Sequence, residues 1–204
     1  MPLPKSLVEG YWRFLRHRQE AEKGLGQTPF AMVIACCDAR VDVSAIFDAE
    51  PGALFILRNV ANLVPPYDPE GKYHGTSAAI EYAVLALKVP HIVVLGHSRC
   101  GGVMAYREGK AEEQGFIGRW LALLDDAKLA EGDVVDYGKE TAFELSAIRS
   151  SLAHLGGFPF IREREEARRL ALHGLHFDIG SGRLIALDPA TGCFVALGEL
   201  EPRS

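Results

Sequence analysis

Residues 91–102 read HIVVLGHSRCGG. An apolar, β-branched run follows Pro90 and ends at Gly96, so His91–Leu95 reads as a strand buried on both faces. Two earlier segments have the same character: Phe30–Cys36 (FAMVIAC) and Ala53–Leu57. Ahead of Pro90, Ile80, Ala83, Val84 and Leu87 share one helical face, with Thr76 or Ser77 available as the cap. After Gly96, the turn GHSRCGG leads into another helix. Strand and helix alternate, which argues for a parallel sheet with right-handed crossovers.

Working outward, Val8, Tyr11, Trp12 and Leu15 recur at helical spacing, so residues 5–23 read as an amphipathic helix, broken by Gly24, Gly26 and Pro29. Val43–Phe47 reads as a short helical turn. Pro65, Pro66, Pro69, Gly71 and Gly75 mark residues 61–76 as a loop. Residues 115–127 and 138–155 read as helices, and the charged run IREREEARRL continues as a solvated one. Leu170–Ile179 and Arg183–Leu187 flank Gly180-Ser181-Gly182 as a hairpin. The expected fold class is α/β: a mostly parallel central sheet flanked by helices, with an N-terminal helical arm (residues 1–25) and a C-terminal hairpin extending the sheet. No repeat or domain boundary is visible, so residues 1–204 read as one domain.

The chain has 204 residues, 48% hydrophobic and 24% charged, with a net charge of −5. Its basic residues form no dominant block, which argues against a nucleic-acid partner. No apolar run is long enough for a membrane span, and the first twenty residues lack the apolar block of a signal peptide. The expected address is the cytoplasm. Four cysteines are too few for a disulfide scaffold at this length, so metal binding or catalysis is the better expectation for them.

Two segments concentrate chemistry: Cys36-Cys37-Asp38-Ala39-Arg40 and His97-Ser98-Arg99-Cys100. Each stands where an expected strand runs out, and ligands of open α/β sheets gather outside the carboxyl ends of strands. If residues 36–40 stay extended, Cys36, Asp38 and Arg40 share one side and Cys37 and Ala39 the other. Cys36 is then the ligand and Cys37 an apolar filler. His97 and Cys100, three apart across a turn, can converge on the same ion. Cys100 also sits at a helix start, where the dipole favours a thiolate. Two thiolates and one imidazole suit zinc and leave a fourth position open.

Blander readings apply to the pieces. An isolated Cys is usually a buried filler and an isolated His a satisfied polar residue. Spacing alone also allows a closed structural site with Asp38 as fourth ligand. GHSRCGG lacks the Lys-Ser/Thr of a phosphate loop, and no G-x-G-x-x-G follows a strand. Cys193 reads as packing. His17, His74, His91, His154, His173 and His176 show no ligand spacing with the site.

Taken together, Cys36-x-Asp38-x-Arg40 and His97-x-x-Cys100-Gly101-Gly102 resemble the β-class carbonic anhydrases. So do Arg58-Asn59-Val60-Ala61-Asn62, the helix Gly75–Leu87, Ile92–Gly102 and the closing LHGLHFDIGSGRL. Val64-Pro65-Pro66-Tyr67-Asp68 resembles the plant-type branch. The resemblance implies one zinc ion per chain on Cys36, His97 and Cys100, and reversible hydration of carbon dioxide to bicarbonate by a zinc-bound hydroxide. It implies that Asp38 orients that nucleophile while Arg40 holds Asp38 off the metal. It also places Gln27, Phe55, Val60, Tyr82, Gly101 and Gly102 at the substrate pocket; for Phe55 and Val60 the alternative is ordinary core packing. Part of the wall would come from a partner subunit, making a homodimer, or a higher even-numbered homo-oligomer, the active form. Members whose aspartate closes onto zinc typically carry Trp three residues before the first Cys ligand; Val33 stands there, so an open site is expected. Two rivals share the motif: hydrolysis of carbon disulfide or carbonyl sulfide on the same fold, and a catalytically silent zinc protein. For proton transfer, Tyr73 and His74 are candidates only.

Overall fold

The computed structural model describes residues 3–17, 27–71, 74–110 and 115–197. Helix α1 (Lys5–His17) precedes strand β1 (Ala31–Cys36), the short helix α2 (Val43–Ile46) and strand β2 (Leu54–Asn59). Helix α3 (Gly75–Glu81) runs into a π-type turn, Tyr82–Ala86, and strand β3 (His91–His97) follows. Then come α4 (Gly101–Arg107), α5 (Phe116–Leu121), α6 (Glu131–Gly156) and α7 (Pro159–Glu166). Strands β4 (Ala171–Phe177), β5 (Leu184–Leu187) and β6 (Phe194–Ala196) complete the order.

The six strands form one sheet in the order β2-β1-β3-β4-β5-β6. The first four are parallel, while β5 and β6 are antiparallel additions. Every residue of β1 is buried, as an apolar run covered on both faces should be. Met32 and Ile34 join the larger core with Ile80, Val84, Leu145 and Ile148, contributed by α3, its continuation and α6. On the other face Val33 and Ala35 meet Val41 and Val43 around α2. The expected α/β fold with a mostly parallel sheet is therefore the observed one.

Details depart from the expectation in instructive ways. Neither Thr76 nor Ser77 caps α3; the helix starts at Gly75 and its preceding residue, His74, makes no side-chain cap bond. Helix α6 begins at Glu131 and contains a non-helical Gly138, φ +79°, where the sequence suggested a helix start. Strand β6 was not expected. It follows a second tight turn closed by Asp188, which accepts from Ala190 N and Thr191 Oγ1. The part of the expected N-terminal helix after residue 17 lies outside the described residues. Cys193 is exposed rather than packed.

Close approach of α6 to the sheet depends on two glycines of neighbouring strands. A Cβ on Gly96 would lie 2.7 Å from Ile148 Cδ1 and 2.8 Å from its Cγ1, and one on Gly174 2.9 Å from its Cγ2. Ile148 is fully buried between them. Gly96→Ala is therefore expected to cost about 1–3 kcal/mol through overpacking. Urea unfolding should show a lower midpoint at unchanged slope, partly restored by adding Ile148→Val. An unchanged midpoint would show that the helix can simply back away.

Candidate metal centre

The parallel register brings Cys36 and His97 to the same edge of the sheet. Ala35 lies opposite Leu95, so the two strands run out side by side. Cys36, His97 and Cys100 are all buried, and their ligand atoms lie within 4.8 Å of one another. The two sulfurs are 4.0 Å apart. Two thiolates on a tetrahedral zinc stand roughly 3.8 Å apart, so the spacing suits the ion.

His97 supplies a further test. Its Nδ1 faces the Ser98 carbonyl at 2.9 Å, and its Nε2 is buried with no hydrogen-bond partner. A ring that donates from Nδ1 presents the Nε2 lone pair, the arrangement usual for a metal-bound histidine. An orphaned, buried nitrogen beside two sulfurs is what a metal ion would satisfy. The donor set therefore fits zinc.

The loop after β2 completes the Cys36 side. Asn59 bridges it, donating to the Leu63 carbonyl (2.7 Å) and accepting from Leu63 N (2.9 Å). Within this bridge Ala61 and Asn62 adopt left-handed φ values of +63° and +50°. That costly conformation for non-glycine residues turns Ala61 N–H toward Cys36 Sγ at 3.4 Å. Arg58 grips the ligand segment from outside, donating to the carbonyls of Cys36 (2.8 Å) and Asp38 (2.6 Å). The sequence had placed Arg58, Asn59 and Ala61 only in a matching block, without these roles.

Asp38 and Arg40 meet, but not by strand alternation. The chain leaves the sheet after Cys36 and turns, with Val41 N donating to the Asp38 carbonyl. Asp38 Oδ1 accepts from Arg40 N and Nε, each at 2.9 Å, and Oδ2 accepts from Nη2 at 2.7 Å. This pairing holds the Asp38 carboxyl well below the usual carboxylate range. Its Oδ2 stands 4.0 Å from His97 Nε2. Cys37 is exposed rather than a filler, because the turn carries it out to solvent.

Of the expected pocket residues, Phe55 and Tyr82 come together with ring centroids 5.9 Å apart. Val60 is 37% exposed and Tyr82 50%, so neither is ordinary core. Gly102 lies under Val60, where a Cβ would come within 2.9 Å of Val60 Cγ1. Gly101 begins α4, whose N-cap is Cys100. Gln27 is exposed ahead of β1. His74 precedes α3, and Tyr73 lies outside the described residues.

Residues 31–184 match the family described as carbonic anhydrase. The chain belongs to the β-class carbonic anhydrases. "Beta carbonic anhydrase 3" of Arabidopsis thaliana is 40% identical over 164 residues, covering 76% of this chain and 63% of the relative. "Carbonic anhydrase" of Pseudomonas aeruginosa is 37% identical over 206 residues, covering 96% of this chain and 92% of the relative. Among solved structures, one of two tetrameric β-carbonic anhydrases from Sordaria macrospora aligns with a TM-score of 0.70 at 32% identity, covering 94% of this chain and 95% of that one. The cofactor of this family is zinc, and the Cys36–His97–Cys100 cluster is where this carbonic anhydrase can hold it.

Without the metal, the thiols share protons unequally. The Cys100 thiol, hydrogen-bonded to Cys36, brings Cys36 down to about 4. The same bond, together with burial, pushes Cys100 up. For His97, burial opposes the charged ring, but contact with the Cys36 thiolate and the Ser98 carbonyl leaves its proton held above the ordinary value. The pair thus gives up its first proton readily and holds its second, which must leave when both sulfurs bind. Zinc uptake by the metal-free protein near pH 7 is expected to release roughly one to two protons, and affinity should fall as pH falls. Titration calorimetry in buffers of different ionisation enthalpy measures the count; zero or three would contradict this distribution.

Proposed function

We propose that Cys36, His97 and Cys100 hold zinc while Asp38 and Arg40 orient the reacting water, and that by this division the chain hydrates carbon dioxide reversibly. The observation that carries the reading is the Asp38 carboxylate. It accepts three hydrogen bonds from Arg40 and lies 4.0 Å from the unpartnered His97 Nε2. Bound zinc supplies a Lewis-acid position at which water becomes nucleophilic near neutral pH.

The protein's share is orientation and charge. Asp38, kept ionised by Arg40, is an acceptor only, so it would accept a hydrogen bond from the O–H of the attacking oxygen and leave a lone pair facing the substrate carbon. Arg40 occupies both carboxylate oxygens, which favours an Asp38 that stays off the metal and leaves the fourth position open. Val60, with Gly102 beneath it and Gly101 beside it, is the apolar wall on the Cys36 side, while Phe55 and Tyr82, packed together level with Met32, are placed to line the pocket of a second copy. Gln27 supplies a polar contact for bicarbonate.

The half-exposed Tyr82 and Val60 support completion of this wall by a second copy of the chain. So does α1, whose Leu7, Tyr11, Trp12 and Phe14 are more than half exposed. The active unit is then a homodimer or a larger even-numbered assembly. No helix among the described residues is long and apolar enough to cross a membrane. Exposed free thiols at Cys37 and Cys193 fit a reducing compartment, and we place the protein in the cytoplasm.

His97→Ala and Cys100→Ala are expected to lose zinc. Asp38→Ala should keep zinc while kcat/KM for carbon dioxide hydration falls about 10²-fold or more. Stopped-flow hydration with metal content on the same samples tests this; equal zinc loss in all three contradicts the division of roles. Carbon disulfide as alternative substrate should release no sulfide. Sedimentation of the holoenzyme should give an even-numbered oligomer, and a fully active monomer overturns that part.

A further inference from the structure

The turn that presents Cys100 contains a conformational cost. Arg99 adopts a left-handed φ of +56°, which a non-glycine residue holds only when its surroundings enforce it. The enforcement acts on one peptide group, the one joining Arg99 to Cys100. Its carbonyl accepts from Arg40 Nη2 at 3.1 Å. Its N–H, on the other side of the same plane, donates to Glu144 Oε1 at 3.2 Å. The peptide is therefore gripped at both ends, once from the Asp38–Arg40 side and once from beneath.

The lower grip is itself braced. Glu144 comes from α6 and is 5% exposed; its second oxygen, Oε2, meets His176 Nε2 at 2.9 Å. His176 sits on β4 opposite Gly96 and is 3% exposed. A carboxyl group and an imidazole this deeply buried are costly unless each is hydrogen-bonded, and here each satisfies the other. The absence of a side chain at Gly96 belongs to the same arrangement, because it lets α6 come close enough to the sheet for Glu144 to reach Cys100.

We propose that Glu144, braced by His176, is a positioning residue for the metal centre. It locks the Arg99–Cys100 peptide in the one orientation that aims the Cys100 thiol at the metal and offers the Arg99 carbonyl to Arg40. Were that peptide to rotate, Cys100 and Arg40 would both lose their placement. Zinc retention and Asp38 alignment are thus linked through a single amide plane. Neither Glu144 nor His176 touches the reacting atoms.

The inference rests on Cys100 being a zinc ligand, and its test separates the two. The zinc-loaded holoenzyme is exposed to a chromophoric chelator, and the rate of zinc transfer is followed; cobalt(II)-substituted protein gives the thiolate-to-metal absorption. Glu144→Ala is expected to release zinc about 10-fold faster or more and to weaken that absorption. Glu144→Gln, which keeps an oxygen acceptor for Cys100 N–H, should restore both to within a few-fold. His176→Phe, which removes the brace and leaves Glu144, should release zinc faster than wild type while the protein stays folded, covering the case in which Glu144→Ala does not fold. Release rates and spectra of Glu144→Ala and His176→Phe within two-fold of wild type overturn the proposal, as does a Glu144→Gln variant as defective as Glu144→Ala. A wild-type protein that holds no zinc overturns instead the metal assignment on which it stands.

Discussion

The metal centre depends on the parallel alignment of β1 with β3. Because Ala35 lies opposite Leu95, both strands reach the edge of the sheet together. Cys36 and Cys100, sixty-four residues apart in sequence, thereby come within 4.0 Å. A slip by one residue would turn Cys36 to the opposite face of the sheet; both faces are apolar, so what resists it is size, since Met32 and Ile34 would have to exchange places with the smaller Val33 and Ala35 in two close-packed cores. The same packing that stabilises the sheet thus sets the ligand geometry. The metal site inherits its precision from the core.

Much of this was legible in the sequence because strands buried on both faces write themselves as unbroken apolar runs. FAMVIAC and HIVVLGH could hardly be other elements, and their ends pointed to Cys36 and His97. The mostly parallel sheet and the choice of Cys36 over Cys37 followed. Strand alternation applies only as far as Cys36 itself, the last strand residue. Beyond it the chain turns, so Asp38 and Arg40 are joined by a local hydrogen-bonded turn rather than by a shared strand face. The correct pair emerged from a periodicity that the backbone had already abandoned.

What the sequence concealed was the support. Arg58, Asn59 and Glu144 act on backbone carbonyls and amides, which carry no sequence signal of their own, and His176 acts only through Glu144. Left-handed φ at Ala61, Asn62 and Arg99 is equally invisible, since none is glycine. Strand β6 was missed because three residues after a polar turn are too short for periodicity to register. Glu144 lies on a helix that also buries Asp133, Ser146 and Ser151, and nothing in the local pattern distinguishes it from a solvated glutamate.

The hairpin of β4 and β5 has a consequence for how the protein is made. Its first turn anchors the metal-ligand loop, because Ser98 Oγ donates to Asp178 Oδ1 at 2.8 Å and Ser98 N to the Phe177 carbonyl at 2.9 Å. His97 and Cys100 are thus synthesised well before Phe177 and Asp178, two of the residues that hold their loop in place. A nascent chain on the ribosome carries Cys36, His97 and Cys100 as loose donors until residues up to Asp178 have emerged. Zinc captured before then meets an unfinished cage, so durable loading is a late event of biosynthesis, timed by the arrival of the C-terminal strands rather than by the appearance of the ligands.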